Sequence, residues 1–267
     1  MYKFFCFLKR DFFIYISYRF RIMLGLISLL GAVFMFYYIG QMFQGGFSEY
    51  LARYGNDYFA FVLLGMCVST FVSTGLYSLA TEVRNAQIQG TLEFLLSTPS
   101  STNLVLFGNS IWAFVKSFLQ SALFLGVTIL IVGIPATFSQ LLLVGLVLIL
   151  TFLCFLSLGM ISAAFIMVFK QGNPINLVFG TLSYFFGGLI FPVEVLPQPL
   201  QKISLILPMF HASKAVREIL LVPQDQSEWR VTMTFLAVFI LVLFPLGFAF
   251  LRLALSRAKK EGSLVQF

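Results

Sequence analysis

Charge is what this sequence has least of. Only 10% of its 267 residues are Asp, Glu, Lys or Arg, while 60% are hydrophobic. A soluble domain carries roughly a quarter charged residues, so an ordinary water-soluble fold is excluded. Cysteine is scarce as well. Cys6, Cys67 and Cys154 stand apart, in or beside apolar stretches, and offer neither a disulfide framework nor metal-ligand spacing. His211 is the only histidine, so there is no imidazole cluster to hold a metal or share acid–base work. No G-x-x-x-x-G-K-[ST] phosphate loop occurs, which leaves the chain without that route to ATP hydrolysis. No carboxylate pair or Ser/His/Asp set falls within the apolar runs, which argues against an intramembrane enzyme. No internal repeat or charged residue within the second and fifth spans points to an ion-coupled secondary transporter or channel, the principal alternative.

What is present is apolar length, with a mean hydropathy of +0.97. Unpaired backbone groups are costly in a bilayer core, so only helices or closed barrels cross it. The runs here are long and continuous, not ten-residue alternating segments, and they predict an all-α membrane protein. Six transmembrane helices are expected, at 22–40, 58–80, 115–133, 140–168, 175–191 and 232–251, within one domain spanning 1–267. Residues 104–134 exceed one simple span, and Lys116 divides them, so 101–114 is expected to approach from the cytoplasm. The stretch 1–20 mixes Phe4, Phe5, Phe7, Phe12 and Phe13 with Lys3, Lys9, Arg10, Asp11 and Arg19. That pattern predicts an amphipathic interfacial helix resting on lipid, and no cleavable signal peptide.

The net charge of +7 is a topology signal and not a nucleic-acid footprint. Basic residues flank the first span and follow the last, at Arg252, Arg257, Lys259 and Lys260, whereas the loop 41–57 has only Arg53. Both termini are therefore expected in the cytoplasm, in a bacterial or archaeal cytoplasmic (inner) membrane. Residues 192–230 hold Pro192, Pro197, Pro199, Pro208 and Pro223, with apolar stretches too short to span. They read as an outer re-entrant or interfacial helical hairpin over 193–222.

Two polar patterns carry functional weight. Ser69, Thr70, Ser73, Thr74 and Ser78 form a hydroxyl stripe on the second span, and Asn176, Thr181, Ser183 and Tyr184 form a comparable face on the fifth. Such stripes either back-bond and pack helices or line a mildly polar passage. Between spans two and three, Ile88, Leu92, Leu95 and Leu96 recur at helical spacing while Glu82, Gln87, Gln89 and Glu93 fall mainly elsewhere, and Thr98-Pro99 stops the run. A short amphipathic cytoplasmic helix rests on lipid or docks into a partner protein; composition alone favours lipid, and the acidic face tilts the balance back toward a protein.

The run EVRNAQIQGTLEFLLSTP, from Glu82 to Pro99, resembles the G-T-L-E-x-L-L-x-T-P region of ABC-2 type transporter permeases. The stretch from Phe169 to Leu220 resembles their fifth span and outer hairpin. The resemblance implies a dimer of six-helix halves, expected to be a homodimer, each half resting on a separate ABC ATPase subunit that binds ATP and magnesium. This chain would hold no cofactor itself. Glu82, Arg84, Gln87, Gly90, Thr91, Leu92, Glu93, Leu95, Leu96, Thr98 and Pro99 would form the coupling helix over 82–98. Thr70, Ser73, Thr74, Asn176, Thr181 and Tyr184 would line the conduit, and Pro192, Glu194, Pro197 and Pro208 an outer gate. Gly108-Asn109 departs from the family's frequent Gly-Lys at the start of the third span, so that position does not constrain the cargo.

Overall fold

The computed structural model describes residues 2–42, 48–90, 102–170, 173–223 and 228–261, and among them there is no β-strand. The helices are α1 (Tyr2–Ser17), α2 (Arg19–Met42), α3 (Ser48–Leu51), α4 (Tyr58–Ile88), α5 (Thr102–Val132), α6 (Phe138–Phe169), α7 (Pro174–Phe186), α8 (Gln198–Ile206), α9 (Pro208–Leu221) and α10 (Trp229–Glu261). Five of them contain segments long and apolar enough to cross a membrane: Arg19–Met42, Tyr58–Ile88, Ser110–Val132, Phe138–Phe169 and Trp229–Ala258. A membrane-spanning helix needs about 20 apolar residues, and each of these five meets that requirement.

Local chemistry sets the helix starts. The Asp57 carboxylate accepts from Ala60 N at 3.1 Å and caps α4. Thr137 and Gln140 form a reciprocal capping box on α6. Asn173 caps α7 by accepting from Asn176 N at 3.2 Å, and Pro174 follows with its φ already suited to a first turn.

Helix ends and expected spans differ at two places. The segment expected as a fifth crossing over 175–191 is helical only to Phe186, after which Gly188 takes a left-handed φ of +68°. Thirteen residues make about 20 Å of helix, short of the roughly 30 Å hydrocarbon core. The second crossing does not stop near residue 80 but continues unbroken to Ile88, so Glu82 to Ile88 belong to α4, which ends in a turn at Gln89-Gly90 with φ +65° at Gly90. The third, expected at 115–133 after an approach over 101–114, lies in the single helix α5. In 193–222 the break between short helices falls at Leu207, where Pro208 starts α9.

Two bonds to α9 fix the relative directions. Gln140 Nε2, at the start of α6, donates to Ile219 O at 2.8 Å, and Arg217 Nε donates to Phe61 O, near the start of α4, at 3.1 Å. Helices α4 and α6 therefore begin at the same end and run parallel. Helix α5 runs the other way, since Ser110 meets Ser78 and Ser121 meets Cys67. Helix α1 lies at the opposite end from α9, with Phe12 and Tyr15 edge-on to Trp112.

The core forms where α4 and α6 cross. A Cβ on Gly159 would stand 2.5 Å from Gly75 O, and one on Gly75 would stand 2.8 Å from Phe152 O. Lipid tails are as apolar as leucine, so association inside a bilayer relies on close packing, which small residues permit. Phe71, Phe155, Leu76 and Met160 fill the space beside this crossing and are fully buried. Helix α2 adds a smaller cluster, in which Leu29, Val33 and Phe36 join Phe59, Phe61 and Phe124.

Candidate functional site

The hydroxyl stripe of α4 divides between two tasks. Ser69 and Thr70 donate back to their own helix, to Met66 O at 2.9 Å and Cys67 O at 2.8 Å. Thr74 shares a short hydroxyl hydrogen bond with Ser117, and Ser78 reaches Ser110 at 3.5 Å. Ser121 donates to Cys67 O at 3.3 Å. Ser110, Ser117 and Ser121 are buried on one face of α5, and their spacing of seven and four residues is the sequence signal that pairs them with this stripe. Thr74 and Ser78 thus serve the α4–α5 contact, whereas the Thr70 hydroxyl stays on its own helix. Ser73, Tyr77 and Thr81 lie round the helix from that contact and stay exposed.

Those three residues open into a cleft of about 510 Å³ between α1, α4 and α5. Arg10 and Asp11 of α1, Thr74, Ser78 and Glu82 of α4, and Trp112, Ala113 and Lys116 of α5 complete its lining. Arg10 and Asp11 pair at 2.8 Å, and the Lys116 ammonium lies 5.9 Å from the Tyr15 ring centroid. The cleft therefore presents hydroxyls, both signs of charge and an aromatic wall at the end of the bundle where α4 terminates. Such a surface suits a polar group that both donates and accepts hydrogen bonds.

The face expected on the fifth span does not form one surface. Asn176 and Ser183 are buried, whereas Thr181 and Tyr184 are exposed on another side of α7. Asn176 O accepts from Tyr77 OH at 3.1 Å, and this ties α7 to the stripe. Among the described residues, the Asn176 side-chain amide and the Ser183 hydroxyl have no hydrogen-bond partner.

Of the expected coupling residues, Glu82 is half-buried, Arg84 exposed, Gln87 buried and Gly90 exposed. Thr91, Leu92, Glu93, Leu95, Leu96, Thr98 and Pro99 lie outside the described residues.

The opposite end holds an ionic arrangement whose members stand far apart in the sequence. The Arg217 side chain is 3% exposed. Its Nε donates to Phe61 O at 3.1 Å, its Nη2 donates to Leu189 O at 3.2 Å, and its guanidinium lies 3.4 Å from the Phe61 ring centroid. It therefore joins α9 to α4 and to the turn after α7. Burial lowers Arg217 to about 10, partly opposed by Tyr54 and Glu194, so it stays charged at neutral pH.

Next to it, the buried Glu218 carboxylate accepts from Arg53 Nη2 at 3.0 Å and from Glu228 N at 3.0 Å. Lys214 donates to Glu228 at 3.0 Å. Burial raises the Glu218 carboxyl, against the lowering effects of Lys214 and Arg53. Glu228, hydrogen-bonded by Lys214, is held below the usual carboxylate range.

The expected gate residues stand beside this network. Pro192 precedes a short 3₁₀ turn, Pro197 precedes α8, and Pro208 opens α9. Glu194 is exposed, and its carbonyl accepts from Gln201 Nε2 at 3.2 Å.

Comparison with known proteins fits a chain of several membrane-length helices around a polar cleft. The ABC-2 type transporter family matches residues 2–221. Nodulation protein J of Rhizobium leguminosarum bv. viciae is 28% identical over 205 residues, covering 76% of this chain and 78% of that protein. Nodulation protein J of Sinorhizobium fredii (strain NBRC 101917 / NGR234) is 28% identical over 195 residues, covering 72% and 71%. The Rhizobium meliloti (strain 1021) protein of the same name is 29% identical over 169 residues, covering 62% and 63%. With a family match over most of its length and helices that cross a membrane several times, this chain belongs to the ABC-2 type transporter family and is a multi-pass membrane permease.

Proposed function

We propose that the chain is the membrane half of an ATP-driven exporter of the cytoplasmic membrane, working with a separate ABC ATPase subunit that binds ATP and magnesium, and with a second permease copy as a homodimer. The α1 end faces the cytoplasm and the α9 end faces outward, because Lys9, Arg10, Arg19, Arg21, Arg252 and Arg257 gather at the former. The α7 segment, though short, carries the chain back outward, which leaves both termini on the cytoplasmic side.

The observation that carries this reading is the continuity of α4. One 31-residue helix runs from the Arg217 contact at Phe61, past the cleft at Ser73 to Glu82, and ends at Ile88 just before Gly90-Thr91-Leu92-Glu93. Docking of the segment Glu82 to Thr98 in a cleft of the ATPase would pass its movement to α4 and α5 as a rigid-body shift. Ser73 and the exposed α7 residues Thr181 and Tyr184 line the cargo's path. Helices α8 and α9, with Pro192, Glu194, Pro197 and Pro208 at their bends, close it on the outer side.

The test is to replace Leu92 and Glu93 together by Ala and Lys and to measure both co-purification of the ATPase and transport by the complex. Association is expected to fall at least tenfold while the permease still folds. Unchanged association and transport would remove the coupling assignment, and a purified, transport-competent chain with no ATPase would favour a secondary transporter or channel.

A further inference from the structure

Helix α7 hides polar groups on the face it turns to the bundle. Asn176, Gly180, Ser183 and Gly187 recur at the spacing of one helix face. Asn176 is 1% and Ser183 2% exposed, yet neither the Asn176 amide nor the Ser183 hydroxyl is hydrogen-bonded among the described residues. Buried polar groups are nearly always paired, because an unpaired one forfeits the bonds it would make elsewhere. No Asp, Glu, Lys or Arg occurs on α4 before Glu82, on α6 or on α7. Uncharged donors and acceptors are therefore the partners that this face suits.

Tyr77 covers the face from α4. Its hydroxyl donates to Asn176 O at 3.1 Å, and it sits so close over Gly180 that a Cβ there would stand 2.6 Å from the hydroxyl oxygen. Tyr77 is also 41% exposed and lines the polar cleft of about 510 Å³. One residue thus belongs both to the cleft and to the seam with α7. The other ties of α7 are at its ends. Ser162 of α6 donates to Asn173 Oδ1, and Ser213 of α9 donates to Gly187 O at 2.9 Å. Between those two, the Tyr77 hydroxyl is what stops the helix from turning about its own axis.

We propose that the Tyr77 hydroxyl is a latch on α7. While it holds Asn176 O, the polar face stays shut. When it lets go, α7 turns between its end ties and presents Asn176 and Ser183 beside the cleft, as a second wall for uncharged hydroxyl and amide groups. A cleft ligand that offers an acceptor competes for the Tyr77 proton, so filling the cleft favours the turn. The latch rests on the reading above only in treating the cleft as part of the cargo's path; its opening is an equilibrium of this chain alone.

The experiment follows alkylation by N-ethylmaleimide at Ser183→Cys in the full chain in detergent, with Cys6→Ser removing one native thiol. Neither ATPase nor cargo is present, so failure here leaves the export reading standing, and loss of ATPase coupling leaves the latch standing. Tyr77→Phe keeps the ring and removes the hydroxyl, and alkylation is expected to quicken about fivefold, the worth of one hydrogen bond. Gly180→Ala should act in the same direction by crowding the hydroxyl. In the Tyr77→Phe chain it should add little, because the next atom it meets, the ring carbon Cζ, lies at 3.6 Å. Asn176→Cys, on the same face, should follow the same pattern as Ser183→Cys. The native Cys67 and Cys154, both buried, should react no faster in any of these chains. An unchanged rate in Tyr77→Phe overturns the proposal. So do effects of Tyr77→Phe and Gly180→Ala that simply multiply, or a matching rise at Cys67 and Cys154, which would mean general loosening.

Discussion

Arg217 offers the sharpest test of the physical account, because two substitutions separate its charge from its bulk. In Arg217→Met an apolar chain of similar length replaces the guanidinium. Leu189 O and Phe61 O lose hydrogen bonds from a charged donor, roughly 1.5–3 kcal/mol each. The stacking on Phe61 is lost as well, roughly 2 kcal/mol when desolvated. Against this, the folded protein no longer holds a bare cation out of water, which returns several kcal/mol. The net loss is expected to be about 1–3 kcal/mol. Arg217→Lys looks the gentler change and is expected to be the worse one. The ammonium keeps the buried charge but has no planar fork to reach two carbonyls on different elements, and no flat face for the ring. A buried charge left without its partners costs about 3–5 kcal/mol.

For a chain of this size 1 kcal/mol moves a melting temperature by roughly 2–4 °C. Thermal unfolding of the purified permease in detergent should then place Arg217→Lys roughly 10 °C below the wild type, and Arg217→Met roughly half as far. A lysine variant that melts with the wild type would show that the guanidinium geometry is immaterial. A methionine variant that melts below the lysine variant would show that the charge itself, not its two hydrogen bonds, holds this end together.

Gly159→Ala should destabilise by about 1–3 kcal/mol, since its Cβ meets the Gly75 carbonyl at 2.5 Å and backbone must move. Gly25→Ala, with nothing within 4 Å, is the control and should be neutral or slightly stabilising in the same melt. Glu218→Gln should change the pH dependence of melting in a definite direction. Burial raises the Glu218 carboxyl above its usual 4.5, so the stability it carries is complete below that value and is lost as pH rises through the folded value. The glutamine variant has no such loss. Relative to the wild type, its melting temperature should therefore climb as pH rises above 4.5, and a relative fall would contradict the burial argument. Glu228 has the opposite sign, its carboxyl being held low by Lys214. Its share of stability is lost as pH falls, and Glu228→Gln should flatten the acid side of the profile.

Membrane residence was legible because it depends on bulk apolar length, which any window along the chain reveals. The helix ends were less so, for a specific reason. A drop in hydropathy at Thr81-Glu82 marks where the lipid becomes unfavourable, not where the backbone stops being helical. Glu82, Arg84 and Gln87 are good helix formers, and α4 runs on until the left-handed Gly90. At 175–191 the apolar run likewise outlasts the helix, which gives way at Gly187-Gly188. The α4 hydroxyls were visible, yet which of them are consumed by packing depended on α5, through Ser110, Ser117 and Ser121. The Arg217 network was hidden because its members come from positions 53, 61, 189, 217, 218 and 228, and nothing local says that they meet. One hint was present. Lys214, Arg217 and Glu218 share one turn-to-turn face of a helix in a chain otherwise nearly free of charge.

The two ends of α4 are held by different kinds of force, and that difference bears on how the proposed cycle would operate. At Phe61 the helix is fixed by a directional bond from a buried cation on α9, which also donates to the turn after α7. Near Ser73 to Glu82 it borders an open polar cleft, with hydroxyl contacts to α5 that can exchange partners at little cost. From Phe61 to Glu82 the helix is about 32 Å long, and no proline interrupts it. A push at the Glu82 end therefore tilts the whole shaft about the Arg217 contact instead of bending it, and the displacement is largest at the cleft. If the outer end must also open for cargo to leave, the Arg217 contact has to break or travel with α9. Arg217→Met, which weakens that contact while sparing the fold, should then raise the ATPase rate of the reconstituted complex without a matching gain in transport. Equal changes in both rates would place the pivot elsewhere.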